Sequence, residues 1–365
     1  MSDLTPPEVW MARALQLGER GRMTTHPNPR VGCVIVRDDK VVGEGFHQRA
    51  GEAHAEVHAL AAAGELARGA EMFVTLEPCS HHGRTPPCAD AVIAAGLRKV
   101  WVAMQDPNPE VAGRGIERLR AAGIEVEVGM MQAAAEQLNR GFVKRMRAQR
   151  PWVTLKLAAS FDGRTAMASG ESQWITAEPA RADVHRLRAE AGAVLTGIGT
   201  VLQDDPQLSV RGLLQSCRQP DRIVLDSRAR APLDARVWSP GARRFWIVGQ
   251  EPVACPAEVK PLQVSIQDGR LCLDAVLTTL AAAQINEILV EAGARLAGAL
   301  LQQGCVDEIV AYVAPSLLGD DARPFVRLPG LQRLDQRIRL QWLDCRQIGP
   351  DLRIIARPIP ALAAD

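Results

Sequence analysis

The sequence predicts an α/β protein with two domains, and three observations support this prediction. The chain has 365 residues, and a domain takes roughly 150 residues. Hydrophobic residues make up 47% and charged residues 23%, so each half can bury a core. Strand-like and helix-like segments alternate, as in sheets covered by helices. A basic run at 144–147, followed by Pro151, divides the chain into domains at 1–149 and 150–365.

The first half begins with a helix and a hairpin. Apolar residues at helical spacing predict a helix over 8–20, and two short apolar runs on either side of 38–40 predict hairpin strands at 31–36 and 41–46. The next elements are a helix at about 55–67, a strand at 71–76, a short helix from Cys88, a strand at 99–104, a helix at 112–122, a strand at 124–129 and a polar helix that ends in the basic run.

The second half repeats the alternation. Strands are predicted at 152–158, 193–196, 222–226, 244–248, 286–291, 308–314 and 352–356, and helices at 178–190, 274–283 and 294–303. The stretch 203–221 is rich in Asp, Gln, Arg and Pro and is predicted to be a loop.

Charge and hydropathy exclude several classes of protein. The net charge is +1 and both halves are nearly neutral, whereas a protein that binds phosphate backbones carries a basic excess. The N-terminus lacks the pattern of a signal peptide, and no uncharged apolar run approaches 18 residues. We therefore expect a cytoplasmic protein with a small-molecule substrate, and neither nucleic acid nor membrane as a partner.

Two of the eight cysteines differ from the rest. Cys79 and Cys88 bracket a run of His, Gly and Pro. The others have no motif spacing and are predicted to be buried reduced thiols: Cys33, Cys217, Cys255, Cys272, Cys305 and Cys345.

His54, Cys79 and Cys88 are candidate ligands of one zinc ion. One imidazole and two thiolates form a borderline-soft donor set that suits zinc, and three protein ligands leave the fourth position open to water. His54 and Cys88 both stand where a helix is predicted to begin, and the positive end of a helix dipole favours a thiolate. Glu56 lies two residues after His54, in the position of a general base.

This pattern has a known counterpart and one departure from it. H-x-E followed by P-C-x-x-C is the signature of zinc nucleobase deaminases. Here eight residues separate the two cysteines. The alternative is a chance match, in which His54 caps a helix and both thiols are buried; the helix at Cys88 and the βαβα order favour zinc.

The first half resembles the deaminase domain of the bifunctional deaminase/reductase family of riboflavin biosynthesis. The resemblance rests on HPNPRVGCVIV, GEGFHQRAGEAHAEVHAL, TLEPCSHHGRTPPC and DPNPEVAGRGI and spans residues 5–145. It implies a cytidine-deaminase-like three-layer αβα domain, with one zinc ion on His54, Cys79 and Cys88 and with Glu56 as the proton shuttle. It also implies pocket contacts from Asn28, His47, His81 and Asn108. Arg84 either meets the substrate phosphate or is a surface residue.

The second half lacks the glycine fingerprint of dinucleotide-binding folds. The segment 197–202 (GIGTVL) has two of the three glycines, so it is either a tight turn or a phosphate-binding turn. Lys156 lies within the apolar run WVTLKLA in a chain with five lysines; it either extends to the surface or faces a ligand. Glu291 ends another apolar run, where α/β sheets bind ligands, or else caps the next helix.

The second half resembles the reductase domain of the same family. The matching stretches are LKLAASFDGRTAMASGESQWIT, VLTGIGTVLQDDPQLSVR, RIVLDSR and VEAGARLAGALL. The resemblance implies a dihydrofolate-reductase-like α/β domain that uses NADPH to reduce the ribose of the deaminated intermediate to a ribityl chain. The implied cofactor contacts are Ala158, Trp174, Thr200, Asp204, Ser227 and Gly293. The implied substrate contacts are Ser172, Arg188, Leu208, Arg211 and Glu291.

Three further roles are expected, two from the chemistry of the side chains and one, that of Arg228 and Arg230, from position alone. Arg188 and Arg211 suit the sugar phosphate, because a guanidinium offers a planar fork to its oxygens. Lys156 is expected to stabilise negative charge on the oxygen of the reduced carbon. Arg228 and Arg230 are candidates for binding the 2′-phosphate of NADPH.

We therefore predict a two-domain enzyme that deaminates a diamino-ribosylaminopyrimidinone phosphate and then reduces its ribose. The enzyme is a candidate for a homo-oligomer. Two alternatives remain. A nucleic-acid deaminase would need a basic channel. A non-catalytic zinc and nucleotide sensor would need a closed four-ligand site, with His81 or His82 as the fourth ligand.

Overall fold

The chain forms two compact units, Met1–Gln149 and Arg150–Asp365. The computed structural model describes residues 5–80, 87–109, 111–213 and 217–359. No helix within these ranges is long and apolar enough to cross a membrane.

The first unit is a five-stranded sheet with helices on both faces. Its strands are β1 (Gly32–Arg37), β2 (Lys40–Phe46), β3 (Glu71–Val74), β4 (Lys99–Val102) and β5 (Glu125–Val128). Its helices are α1 (Pro7–Glu19), α2 (Ala55–Ala63), α3 (Cys88–Ala95), α4 (Arg114–Ala121), α5 (Gln132–Leu138) and α6 (Arg140–Ala148). The strand order is β2-β1-β3-β4-β5. β1 is antiparallel to β2 and β3, while β3, β4 and β5 are parallel.

Small residues bring α1 and α2 close to opposite faces of this sheet. A Cβ on Gly45 of β2 would lie 2.4 Å from the carbonyl oxygen of Ala55 in α2. A Cβ on Gly32 of β1 would lie 1.9 Å from the carbonyl oxygen of Ala14 in α1. Cys33 pairs with Gly45, and paired residues share a face, so successive residues of β1 face different helices. The result is the three-layer arrangement that was expected.

The predicted hairpin and the helix starting at Cys88 are confirmed. The helix predicted over 55–67 ends at Ala63, because Gly64 has φ of 52° and a 3₁₀ turn follows. The prediction of a single polar helix before the domain boundary is wrong. The segment forms two helices, α5 and α6, joined at Asn139 (φ −113°), whose side chain hydrogen-bonds the backbone of Arg30.

The second unit is built on a nine-stranded sheet. The strands of this unit are β6 (Trp152–Ser160), β7 (Arg164–Ala166), β8 (Gly192–Gly197), β9 (Asp221–Asp226), β10 (Arg244–Val248), β11 (Val259–Gln263), β12 (Ile266–Gln267), β13 (Arg270–Leu271), β14 (Glu287–Val290), β15 (Glu308–Ala314), β16 (Arg323–Pro324), β17 (Leu340–Ile348) and β18 (Asp351–Pro358). Strands β12 and β13, and strands β7 and β16, form two separate two-stranded sheets, and the other nine form the large sheet. The helices of this unit are α7 (Glu178–Ala191), α8 (Ile198–Asp204), α9 (Leu273–Ala282) and α10 (Ala294–Gln302).

Most of the large sheet is parallel. The order is β11-β10-β9-β8-β14-β6-β15-β18-β17, in which the strands from β11 to β15 are parallel and the β17–β18 hairpin is antiparallel. The carboxyl ends of β9, β8, β14 and β6 therefore meet at one edge, which is where open α/β sheets bind ligands.

All seven strands predicted for this half are present. The elements that were not predicted are helix α8 and strands β7, β11, β12, β13, β16 and β17. In the segment 197–202, Gly197 ends β8 and the residues from Ile198 onward form the start of helix α8, which extends to Asp204, into the predicted loop. Strand β17 was missed because it is an edge strand that is exposed on both faces, so its residues lack apolar alternation.

Candidate active sites

Three predicted metal ligands converge in the first unit. His54 is the residue that precedes α2, Cys88 is the first residue of α3, and Cys79 follows β3. The Nδ1 atom of His54 lies 3.2 Å from Cys88 Sγ and 3.6 Å from Cys79 Sγ. All three donor atoms lie within 4.8 Å of one another, and no second group of this kind occurs among the described residues.

The spacing of these donors fits zinc. A tetrahedral zinc ion with sulfur ligands at roughly 2.3 Å and a nitrogen ligand at roughly 2.1 Å holds its ligand atoms roughly 3.5 to 3.8 Å apart. The backbone N–H of Cys88, at the start of α3, donates to Cys79 Sγ over 3.3 Å. The hydrogen bond with Cys88 lowers the pKa of Cys79, against the effect of burial, and that of Cys88 is raised in turn. A bound cation would displace the remaining thiol proton, because a metal ion binds the thiolate form.

Glu56 lies in the first turn of α2 with 3% of its surface exposed. Burial raises the pKa of this carboxyl group to about 7, although the neighbouring charge of His54 acts in the opposite direction. A carboxyl group with this pKa can both accept and donate a proton near neutral pH.

His47 and Asn28 form a hydrogen-bonded pair beside the metal ligands. The His47 ring is edge-on to that of His54, with centroids 5.4 Å apart. His47 Nδ1 lies 3.1 Å from the carbonyl oxygen of Ala53. A carbonyl oxygen only accepts, so Nδ1 carries the proton, and Nε2 accepts from the Asn28 amide nitrogen at 3.1 Å. Burial lowers the pKa of His47, in keeping with this neutral form.

The remaining predicted pocket residues divide into two groups. Asn108 is half-buried and follows β4, and its carbonyl oxygen accepts from the N–H groups of Val111 and Ala112. His81, together with His82 and Arg84, lies outside the described residues.

In the second unit, Lys156, Arg188 and Glu291 come together from three distant segments. Arg188 Nε and Nη2 donate to the two oxygens of Glu291 at 2.5 and 3.0 Å, and Lys156 Nζ lies 3.8 Å from Glu291 Oε2. All three side chains are less than one-fifth exposed. Burial alone would raise the pKa of Glu291, but the charges of Arg188 and Lys156 outweigh it and hold the pKa at about 2.

The contacts of Arg188 bear on its predicted role in binding the sugar phosphate. Arg188 Nη1 donates to the carbonyl oxygen of Ser209 at 3.0 Å, so all three guanidinium nitrogens have protein partners. Arg211 is exposed and makes no ion pair with the described residues; its backbone N–H donates to His185 Nδ1. Leu208 is 3% exposed with φ of 53°, which leaves its backbone rather than its side chain for a substrate contact.

The predicted cofactor residues lie mainly at the carboxyl edge of the large sheet. Gly293 is the residue before α10, and Ser227 follows β9. Thr200 and Asp204 lie on α8, and Ala158 lies on β6. A Cβ placed on Gly199 or Gly293 would meet no atom within 4 Å, so the space beside both glycines is open.

Trp174 and Ser172 lie on the segment before α7. Trp174 is 69% exposed, and the guanidinium of Arg181 lies 4.7 Å from its ring centroid. Ser172 is half-buried.

Asp226 is a buried carboxylate beside the predicted cofactor residue Ser227, and the sequence analysis did not single it out. This carboxylate at the end of β9 is fully buried, and its Oδ2 accepts from the backbone N–H groups of Arg230 and Ala231. It therefore shapes the turn that carries Ser227 and Arg228. The signal available in the sequence was an acidic residue that ends the apolar run RIVLD.

Comparisons with known proteins match each of the two units to a protein family. The family model for the cytidine and deoxycytidylate deaminase zinc-binding region matches residues 5–104, and the model for the RibD C-terminal domain matches residues 151–354. The riboflavin biosynthesis protein RibD of Escherichia coli (strain K12) is 55% identical and covers 94% of this chain and 97% of its own length. The chain belongs to the RibD family.

Solved structures agree with this assignment. Acinetobacter baumannii RibD, form 2, is 47% identical with a TM-score of 0.89, covering 96% of this chain and 98% of its own. A diaminohydroxyphosphoribosylaminopyrimidine deaminase/5-amino-6-(5-phosphoribosylamino)uracil reductase of Thermotoga maritima is 34% identical with a TM-score of 0.85, at the same coverage. The predicted family and α/β fold class are confirmed. As a RibD family member, the protein is a bifunctional riboflavin biosynthesis enzyme with a deaminase and a reductase domain, and neither alternative function is favoured.

Proposed function

We propose that the first unit hydrolytically deaminates a diamino-ribosylaminopyrimidinone phosphate, and that the second unit uses NADPH to reduce the ribose of the resulting uracil to a ribityl chain. The observation that carries the proposal is the His54, Cys79 and Cys88 group beside a buried Glu56 with a pKa of about 7. The zinc-binding family model and the presence of a reductase domain support zinc and a nucleotide cofactor.

In the deaminase site, His54, Cys79 and Cys88 would hold zinc. The ion would supply Lewis acidity that lowers the pKa of a bound water molecule to roughly 7. Glu56 then takes a proton from the attacking water and donates it to the exocyclic amine, which leaves as ammonia. Its raised pKa suits both transfers.

Asn28 would bind the pyrimidine. The Nδ1 proton of His47 is committed to Ala53, so His47 Nε2 accepts from the Asn28 amide nitrogen. This pair leaves the Asn28 amide oxygen to accept a hydrogen bond from the substrate. Asn108 and His81 are proposed as further pocket residues on the strength of the family resemblance.

In the reductase site, Lys156 would stabilise the negative charge that develops on the ribose oxygen when the ring opens. Lys156 and Arg188 keep Glu291 ionised, so that Glu291 accepts hydrogen bonds from substrate donors. NADPH supplies the hydride. The exposed Arg211 is the better candidate for the sugar phosphate, because the Arg188 nitrogens are already engaged.

The open turn at Gly293 and the N-terminus of α10 would receive a cofactor phosphate. Ala158, Trp174, Thr200, Asp204 and Ser227 are proposed as the other cofactor contacts, and Ser172 and Leu208 as substrate contacts. We place both reactions in the cytoplasm. The proposed substrate is a small phosphorylated pyrimidine rather than nucleic acid, and the chain is a candidate for a homo-oligomer.

Arg228 and Arg230 would select NADPH over NADH by pairing with its 2′-phosphate. Both are exposed next to the turn that Asp226 shapes, and Arg228 makes no hydrogen bond or ion pair with the described residues. Replacing both with Ala is expected to raise the Michaelis constant for NADPH far more than that for NADH. An equal effect on the two cofactors would contradict this role.

The two activities can be separated by one experiment. Glu56→Ala is expected to abolish ammonia release while NADPH oxidation by the deaminated intermediate continues. Lys156→Ala is the matched variant with the converse result. Loss of both activities in Glu56→Ala would contradict the assignment of independent sites.

A further inference from the structure

Glu77 is a buried carboxylate that neither the metal group nor the proton transfer uses. It follows β3 and is 3% exposed. Its Oε2 accepts from the backbone N–H groups of Asp106 (3.1 Å) and Gly113 (3.0 Å), and its Oε1 accepts from those of Gly115 (2.8 Å) and Ile116 (3.3 Å). One side chain thus satisfies four backbone donors.

These donors all come from the segment after β4, the parallel neighbour of β3. Glu77 stands two residues before the metal ligand Cys79, and the segment it holds carries Asn108 and the start of α4. The two segments are in close contact, because a Cβ on Gly115 would lie 2.0 Å from the carbonyl oxygen of Pro78.

The hydrogen-bond pattern requires an acceptor at both carboxyl oxygens. A glutamine at this position would turn an NH₂ group toward two backbone N–H groups, and buried donors without an acceptor are costly. The carboxylate also matches the positive end of α4, which begins at Arg114.

We propose that Glu77 is a positioning residue of the deaminase, which sets the place of Asn108 relative to the metal ligand Cys79. This inference rests on the proposed function, in which Asn108 contacts the substrate. It predicts that loss of Glu77 acts on substrate binding through Asn108, with the metal group retained.

The first test is Glu77→Gln in the full zinc-loaded chain, assayed for ammonia release from the phosphorylated diaminopyrimidine. KM is expected to rise about tenfold while kcat changes less than about threefold, because one misplaced contact weakens binding by this order. Zinc content should stay at one per chain. Glu71→Gln is the matched control: Glu71 lies at the other end of β3, where it binds Trp101 and Arg98, and its kinetics should equal those of the wild type.

A double-mutant cycle with Asn108→Ala distinguishes positioning from general destabilisation. If Glu77 acts through Asn108, the combined variant should be no worse in KM than the worse single variant. Hydrogen exchange provides a readout that needs no activity. Peptides covering 104–109 and 111–117 should exchange faster in Glu77→Gln, while peptides of β1 and β2 should not change.

Three results would overturn the proposal: a wild-type KM in Glu77→Gln, effects on KM that multiply in the combined variant, or loss of zinc from Glu77→Gln. If Glu77→Gln is too unstable to assay, Gly113→Ala decides, since it strains a donor residue with φ of 81° and leaves Glu77 in place. A raised KM with zinc retained supports the inference, and a wild-type KM overturns it. Absence of ammonia release in the wild type would instead refute the proposed function.

Discussion

The two candidate sites are built from segments at very different separations in the chain. The metal ligands of the first unit span 34 residues, from His54 to Cys88, and two of them stand at the start of a helix. The charged group of the second unit joins Arg188 of helix α7 to Glu291, 103 positions away, and includes Lys156 from strand β6. A site of the first kind leaves a motif in the sequence, whereas a site of the second kind requires the sheet to form before its members meet.

The largest effect is expected at a metal ligand. Cys88→Ala should remove the zinc and reduce ammonia release by at least about 10³-fold, because both Lewis acidity and water orientation are lost. NADPH oxidation should be unchanged. Metal analysis and the two assays measure this, and a Cys88→Ala enzyme that keeps zinc and activity would contradict the ligand assignment.

Glu291→Gln tests the second site. Removing one partner of a buried ion pair should lower the free energy of unfolding of the second unit by about 3 kcal/mol, with zinc content unchanged. Urea denaturation followed by tryptophan fluorescence provides the measurement. Equal stability of the wild type and Glu291→Gln at pH 7 would show that the fold does not need this carboxylate to compensate the buried charges of Arg188 and Lys156.

The pH dependence of that difference has a definite sign. The pKa of Glu291 is about 2 in the folded chain and ordinarily 4.5, so its stabilising contribution is fully present above pH 4.5 and is lost as the pH falls toward 2. The gap between the wild type and Glu291→Gln should therefore be constant from pH 5 to 7 and shrink below pH 4.5. A gap that grows on acidification would contradict the ion-pair arrangement.

Gly45→Ala tests whether the deaminase site also depends on close packing of helix α2 against the sheet. The added methyl group would lie 2.4 Å from the Ala55 carbonyl oxygen, and α2, which carries Glu56, would have to move. We expect a loss of about 2 kcal/mol in stability and a reduced kcat for ammonia release. A kcat equal to that of the wild type would show that the site tolerates displacement of α2.

The smallest effect is expected at the turn after β9. Asp226→Asn should raise the KM for NADPH by about threefold to tenfold. The Asn side chain presents either an NH₂ group or a weaker amide oxygen to the two backbone N–H groups that the carboxylate oxygen accepts from. Ammonia release is the internal control. An unchanged KM would mean that the turn does not contact the cofactor.

Much of the fold and of the metal group could be predicted from the sequence, since periodicity marks buried elements and ligand spacing marks a donor set. The engagement of Arg188 by Glu291 could not, because nothing in either segment indicates which partner tertiary packing will supply. Glu77 was missed for a similar reason: its partners are backbone groups, which leave no trace in side-chain composition. The exposed strand β17 lacks apolar alternation, and helix α8, with seven residues, is too short for its apolar spacing to indicate a helix.

The most direct test of the central claim is X-ray absorption spectroscopy at the zinc edge on the purified chain. We expect one zinc ion per chain with two sulfur ligands, one histidine nitrogen and one further oxygen ligand that exchanges with solvent. A shell made of four protein ligands, or a chain that binds no zinc, would contradict the account.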